Sequence, residues 1–415
     1  MSRNVVLVSI DSLQADHCGF MGYEKDTTPT LDSIAEDGLV FENAIAPGPT
    51  TPESMPATFT GHYPIDRQTK AREVTGATER FQAHLARHET IAEWFSDQGY
   101  ATAGFTPNPW TCRHFGFGRG FDYFQDFLDQ DRSSGIWERT LAGQGSKPLT
   151  ALRLVSNWSQ REATFKPWSS FYDEIVEWTR NAPEPYFLWV FLLDPHFPYL
   201  PSSEHRSQSR WRTYEANLRL YLESQTTPYS PRVHEQLVTA YNDAIRYTDD
   251  FFRRLRSDLA DDDPAIVIHA DHGEAFGEHG TYGHHDQLYD ANVKVPLVVS
   301  GVPSETVTEP VSVRSIPDIA EHVATGADST SVTQPSVLTR TGDGSGSAVH
   351  ATDWSYIANG TRGELLSIDG GTEQAVEDPA SKLVARDVWQ FRSEPEREKR
   401  RVAMAIDALA EETTL

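Results

Sequence analysis

Five histidines fall within the 17 residues from His269 to His285, out of 15 in the whole chain. The segment reads His269-Ala-Asp271-His272-Gly273-Glu-Ala-Phe-Gly277-Glu278-His279-Gly280-Thr-Tyr-Gly283-His284-His285. A surface run of histidine would be a compositional accident, but this one comes after an apolar stretch and is punctuated by glycine rather than set on a helix. Mixed imidazole and carboxylate is a donor set for a divalent cation: zinc or manganese where nitrogen contributes, calcium or magnesium where oxygen predominates. Asp11 offers another carboxylate directly after the apolar run Val5 to Ile10, with Ser12 and Asp16 close behind. Alone, such an Asp reads as a turn former. Together with Asp271 and His272 it reads differently, because two parallel strands that deliver acids at their C-terminal ends can hold one metal between them.

The segment Thr50-Thr51-Pro52-Glu53-Ser54-Met55-Pro56 has two readings. Thr50 or Thr51 caps a helix whose first turn Pro52 suits. A hydroxyl at a helix N-terminus is also a placed nucleophile, since amide N–H groups and the helix dipole stabilise negative charge there, and a bound cation lowers its pKa. His196, in a Pro-flanked loop, is a candidate for binding the transferred group's oxygen or a core histidine. His279 and His284 come soon enough after the metal pair to face the same pocket, as general acid or as ligands of a second metal. Asn108 is a weaker polar candidate, and His17, His62 and His285 are set at the border, outside the core group.

The elements that must carry these residues alternate. Val5 to Ile10 is β-branched and continuously apolar, which suits a strand buried on both faces of a parallel sheet. Next come a helix from Thr28 or Thr30 to Gly38, a strand from Leu39 to Ala44 and a helix from Glu53 to Thr60. Further units are the helix Thr90 to Gln98, strands Ala101 to Phe105 and Tyr186 to Leu193, the helix Val233 to Leu259, and strands Ala265 to His269 and Val295 to Val299. This alternation predicts an α/β fold with a mostly parallel sheet flanked by helices. Residues from about 130 to 185 read as a mostly helical insertion. The Gly/Ser-rich Thr341 to Ser347 reads as a break between a catalytic domain, 1–340, and a small C-terminal α+β subdomain, 348–415, of antiparallel strands and charged helices.

Composition narrows the function. The 61 acidic and 36 basic residues leave a net charge of -25, which repels nucleic acid and anionic lipid. Only seven of the basic residues are Lys, leaving 29 Arg, and this Lys-poor, acid-rich balance suggests a high-salt cytoplasm. Cys18 and Cys112 are too few for a disulfide scaffold or a zinc finger. The N-terminal apolar run is too short for a signal peptide, and no stretch approaches a membrane span, so the expectation is a cytoplasmic protein without membrane insertion.

Four separated motifs, in order and spacing over roughly residues 4 to 300, resemble the sulfatases of the alkaline phosphatase superfamily. They are Ile10-Asp11-Ser-Leu-Gln-Ala-Asp-His17; Thr51 to Gly61 with Tyr63-Pro64; Asp194-Pro-His196-Phe-Pro198; and Asp271-His272-Gly-Glu with Gly277-Glu-His-Gly280 and Val295-Pro296. The resemblance implies an alkaline-phosphatase-like core, a small C-terminal sheet, and a divalent metal (zinc, manganese or calcium) held by Asp11, Asp271, His272 and the nucleophile, Thr51. It implies that His284 aligns with a family lysine that contacts sulfate. One departure is chemical. Family sulfatases carry Cys or Ser in a Cys/Ser-x-Pro-x-Arg motif that is oxidised to formylglycine; here the position holds Thr51, with Glu53 for Pro and Met55 for Arg, so no formylglycine forms. Ser54, in Ser-Met-Pro-Ala-Thr58, imitates that motif but lacks the Arg and lies three residues late. The Thr-x-x-Ser-x-Pro spacing is instead similar to superfamily phosphoethanolamine and phosphoglycerol transferases.

The expected function is a metal-dependent hydrolase in which Thr51 attacks a sulfate or phosphate ester, with phosphoesters favoured. Its substrate would be a small anionic ester or a sulfated or phosphorylated glycan. A phosphotransferase that passes the group to an acceptor, and a non-catalytic sensor of such glycans, are the alternatives. The sequence leaves the oligomeric state open.

Overall fold

The computed structural model describes residues 3–64, 74–127, 166–223, 228–285, 287–342, 344–359, 362–369 and 371–413. An eight-stranded sheet runs in the order Glu305–Val307, Leu39–Phe41, Leu297–Ser300, Ala265–Ala270, Val5–Ile10, Tyr186–Leu192, Ala101–Phe105, Tyr123–Gln125. Only Leu297–Ser300 opposes its neighbours; all other pairings are parallel. Every residue of Val5–Ile10, Tyr186–Leu192 and Ala265–Ala270 is buried, the signature of central strands covered on both faces. The α/β expectation holds.

Three expected elements come out differently, each for a local reason. The Val295 to Val299 strand breaks at Pro296, which has no N–H to give a ladder. Lys294–Val295 then pairs with Ala44–Ile45 in a separate three-stranded sheet, while Leu297–Ser300 joins the main one. The Leu39 to Ala44 strand divides between the same two sheets. The Gly/Ser-rich segment is no linker, because a five-stranded antiparallel sheet already begins at Val337–Arg340 and the segment turns that strand into Gly346–His350. Behind that sheet lies one long helix, Pro379–Thr413. Of the expected insertion, residues 130–165 lie outside the described residues; its remainder forms a short turn at Trp168–Ser170 and the helix Tyr172–Asn181.

Register is what positions the site. Ile10 lies opposite Leu192 on one side and Ala270 on the other, so Asp11 and Asp271 leave the sheet side by side at its C-terminal edge. The next strand but one, Ala101–Phe105, delivers Asn108 to the same edge. The helix Thr51–Thr60 lays Phe59 edge-on against Trp189 of the sheet at 4.5 Å between centroids, and turns Ala57 towards a second apolar cluster with Tyr63, Leu338, Tyr356 and Trp389. The helix therefore sits between the main core and the C-terminal sheet. Among the described residues no helix is long and apolar enough to cross a membrane.

Candidate active site

Asp11, Asp271 and His272 have no exposed surface, and one ligand atom from each lies within 4.8 Å of the others. Among the described residues this is the one group of three potential metal ligands so converged. His272 Nε2 stands 3.5 Å from Asp11 Oδ1 and 3.7 Å from Asp271 Oδ1. Its Nδ1 donates to the Gly273 carbonyl at 2.9 Å, which fixes the tautomer and leaves the lone pair on Nε2, facing the carboxylates. The imidazole stays neutral: burial, with His284 and His196 nearby, drives its pKa well below the ordinary range.

The backbone is bent to make this convergence. Ser12 adopts the left-handed region at φ 57°, so its N–H reaches Asp271 Oδ1 at 3.2 Å while its hydroxyl donates to Asp11 Oδ1 at 2.7 Å. The Tyr241 hydroxyl donates to the Ser12 carbonyl at 2.6 Å and pins the turn from below. Gly273 is required by close approach, since a Cβ there would lie 2.2 Å from the Ala291 carbonyl. Asn108 proves to be part of the arrangement: its Nδ2 donates to Asp11 Oδ2 at 2.7 Å, and its Oδ1 accepts from Trp110 N–H, which sets the amide's orientation.

Two buried carboxylates side by side call for a cation. Burial, then the Asp11 charge, push the Asp271 carboxyl well above the usual range. Asp271 Oδ2 has no hydrogen-bond partner among the described residues. An unpartnered buried oxygen, a second carboxylate and an imidazole with its lone pair aimed between them form a donor set that fits a divalent metal.

Thr51 opens its helix, and its Oγ1 lies 3.4 Å from His272 Nε2. Thr50 holds the N-cap position without a side-chain cap bond, and the hydroxyl of Thr51, the next residue, meets His272 of the converged group. Ser54 is buried one turn further on, its Oγ without a partner among the described residues.

His284 and His196 reach the same place. The His284 ring centroid is 4.5 Å from that of His272 and 5.1 Å from that of His196. Glu274, with no exposed surface, accepts from His284 Nδ1 at 2.9 Å. Burial opposes a proton on His284, but the Glu274 carboxylate, with Asp11 and Asp271 behind it, outweighs burial and raises the pKa to about 9. Sequence reasoning passed over Glu274; its signal was an acid three residues after Asp271, at the end of the Asp271-His272-Gly-Glu motif.

His279 goes elsewhere. It sits after Gly277 in the left-handed region at φ 50°, stacks on Tyr289 at 3.6 Å and pairs its Nε2 with Glu373 of the C-terminal sheet at 2.7 Å. The glycines flanking it turn the chain outward, so the expectation that it faces the pocket is not met. His17 is a core histidine, hydrogen bonded to Asn242 and packed on Tyr241. His285 is exposed, and His62 lies at the far end of the Thr51–Thr60 helix.

Residues 3–324 match the protein-family model described as Sulfatase. Iduronate 2-sulfatase of Homo sapiens is 22% identical over 344 residues, which cover 74% of this chain and 61% of that protein. Phosphatidylethanolamine transferase Mcr-1 of Escherichia coli is 25% identical over 305 residues, covering 68% of this chain and 44% of that one. Among solved structures, phosphonate monoester hydrolase of Agrobacterium radiobacter superposes with a TM-score of 0.68 at 15% identity over 96% of each chain, a likeness of fold. The chain spans about three-fifths of the length of the first curated sulfatases it matches.

Proposed function

The chain belongs to the sulfatase family, and we propose that it is a metal-dependent hydrolase that cleaves a phosphate or sulfate ester, phosphoesters preferred, with Thr51 as nucleophile. The observation that carries this reading is the Thr51 hydroxyl, at a helix N-terminus and 3.4 Å from His272 Nε2 beside two buried carboxylates.

A divalent cation bound by Asp11, Asp271 and His272 would act as a Lewis acid, offsetting charge on the nucleophile and on the ester oxygens. Thr51 Oγ1, its pKa lowered by such a cation, would give its proton to solvent water and attack phosphorus or sulfur in line, the bond to the ester's alcohol oxygen breaking as the new bond forms. The N–H groups that open the Thr51–Thr60 helix and the His196 ring meet the charge that develops on the equatorial oxygens. His284, kept protonated by Glu274, donates to the departing alcohol oxygen. The group then rests on Thr51 as an ester. A formylglycine hydrate expels sulfate by breaking its own C–O bond; a threonine ester has no such route and must be cleaved by attack at phosphorus or sulfur, which is the usual fate of phosphoryl enzymes. That difference is the ground for preferring phosphoesters.

Discharge by water makes a hydrolase, and discharge by an acceptor alcohol makes a transferase. The likeness to Mcr-1, a phosphatidylethanolamine transferase by name, favours keeping the second reading. The substrate class is a small anionic ester or a sulfated or phosphorylated glycan, and the working environment is a cytoplasm of high salt, which screens a chain of net charge -25 from its own substrate. The test is turnover of matched nitrophenyl sulfate, phosphomonoester and phosphodiester with zinc, manganese, magnesium or calcium in high salt. Phosphoester turnover above sulfate turnover is expected. Turnover of sulfate alone would reverse the preference, and none with metal bound would favour a non-catalytic sensor.

A further inference from the structure

We propose that Asn292 is a positioning residue for the reaction: it closes the open end of the two-stranded hairpin that sets His284 against Glu274, and ties that end to the chain just beyond His272. The proposal rests on the reading of His284 as the acid that protonates the departing alcohol oxygen.

The hairpin is weak by construction. Its strands, Ala275–Phe276 and Tyr282–Gly283, pair in two rungs, Phe276 opposite Tyr282 and Ala275 opposite Gly283. Gly277, Gly280 and Gly283 all stand at positive φ, and a two-stranded ladder without a third strand is marginal in water. Glu274 and His284 are the next residues outward on the two strands. Antiparallel register therefore sets them face to face, and the 2.9 Å bond between Glu274 and His284 forms beyond the last rung. A pair in that place moves with the ends of its strands unless something else fixes them.

Asn292 fixes both ends from the neighbouring turn, Asp290–Val293. Its carbonyl accepts from the Gly273 N–H at 2.9 Å, at the foot of one strand, and its Nδ2 donates to the Gly283 carbonyl at 3.1 Å, at the foot of the other. Only the nitrogen of an amide side chain can donate to a carbonyl, so the partner settles which way the side chain points. Asn292 is 2% exposed, so solvent does not compete for the bond. The turn is itself anchored. The Asn292 N–H donates to the Tyr289 carbonyl at 2.9 Å, and the Val293 carbonyl accepts from the Ala46 N–H at 2.7 Å. From the C-terminal sheet, Glu364 accepts from the Tyr289 hydroxyl at 3.1 Å and Glu373 from the Asp290 N–H at 3.4 Å. The backbone of Asn292 thus serves the His272 side of the site and its side chain the His284 side, and a substitution separates the two.

Leaving-group dependence tests the assignment. Nitrophenolate departs from a phosphodiester without a proton, whereas a simple alkoxide needs one. With matched nitrophenyl and alkyl phosphodiesters, Asn292→Ala should lose about 100-fold in kcat on the alkyl ester and about 10-fold or less on the nitrophenyl ester. Zinc affinity, read by calorimetry, should stay within about threefold, because the bond to Gly273 comes from the backbone, and it also shows that the variant folds. Asn292→Asp keeps the shape, removes the donor and should give the same split. His284→Gln, run alongside, should show a split at least as large. Equal losses on both esters in the Asn292 variants, or a matching loss of zinc affinity, overturn the proposal while leaving His284 as the acid. No split in His284→Gln overturns the reading of the acid and the proposal with it.

Discussion

His284 Nδ1 lies 2.9 Å from Oε2 of Glu274, a carboxylate with no exposed surface, and this pair faces the ring of His272. The relationship makes a histidine that burial alone would keep neutral into an acid that holds its proton up to about pH 9. Because the folded pKa is raised, the protonated form is complete at neutral pH and is lost as pH rises through that value. Activity that needs the acid should fall on the same limb. Glu274→Gln removes the carboxylate that does most to oppose burial, leaving only Asp11 and Asp271 against it, so the alkaline limb of the kcat profile should move down by about one unit or more, with kcat reduced about 10- to 100-fold. An unmoved limb in that variant would remove His284 from the acid's role.

Thr51→Ala should reduce turnover by at least about 1000-fold while zinc binding is only weakened, and Thr51→Ser should recover part of the rate. Rapid quenching of the wild type with a phosphodiester should leave the transferred group on the peptide that contains Thr51. Ser54→Ala should stay within about threefold of wild type, since that hydroxyl makes no hydrogen bond among the described residues. Loss of activity in Ser54→Ala alone would move the nucleophile one turn along the helix.

Asn108 donates to Asp11 at 2.7 Å, and through it would act on a metal held by the proposed group. Asn108→Ala frees that oxygen to rotate, and zinc affinity should weaken by about 10- to 100-fold. Saturating zinc should restore much of kcat. A kcat loss that zinc does not relieve would mean that Asn108 touches substrate instead.

His279→Ala should leave the chemical step within about threefold, because the ring pairs with Glu373 and not with the pocket. The pair is partly exposed, so the loss of stability should be no more than about 1 kcal/mol. Thermal melts with parallel kinetics separate these effects, and a kcat drop of 100-fold would return His279 to the catalytic group.

His269 lies behind the site, its ring between Ser9 Oγ at 2.7 Å and the Ala270 carbonyl at 2.9 Å. Burial lowers its pKa to about 4. A folded pKa below the unfolded one means stability that is fully present above about 6.5 and is lost as pH falls towards 4, by about 3 kcal/mol for a shift of this size. His269→Gln should flatten the fall in Tm over that window relative to wild type. Identical slopes would show that the ring takes up its proton in the folded state.

The chemistry-bearing residues were legible because metal ligands come at the ends of strands and nucleophiles at the starts of helices, and the apolar runs of Val5 to Ile10 and Ala265 to Ala270 announce themselves by composition. Asp11, Asp271 and His272 were each named on that ground, and Thr51 was singled out from Thr50 by the family resemblance; the structure brings all four together. His279 misled for a physical reason: distance along the chain says nothing of direction once glycines at 277 and 280 allow left-handed turns. Asn108 was undervalued and Glu274 passed over because each acts through another residue, one across two strands to Asp11 and the other on a ring ten residues away.

By itself the sequence determined the α/β class and the donor types, and that Thr51 rather than Cys or Ser stands at the position the family motif marks, since burial pattern and ligand chemistry are properties of residue types in order. Only the tertiary structure decided which acids share one point, which tautomer His272 holds, and that a buried Glu274 accepts from His284. Those properties depend on parallel register, on desolvation and on angles of approach, and these arise when distant segments are packed against one another.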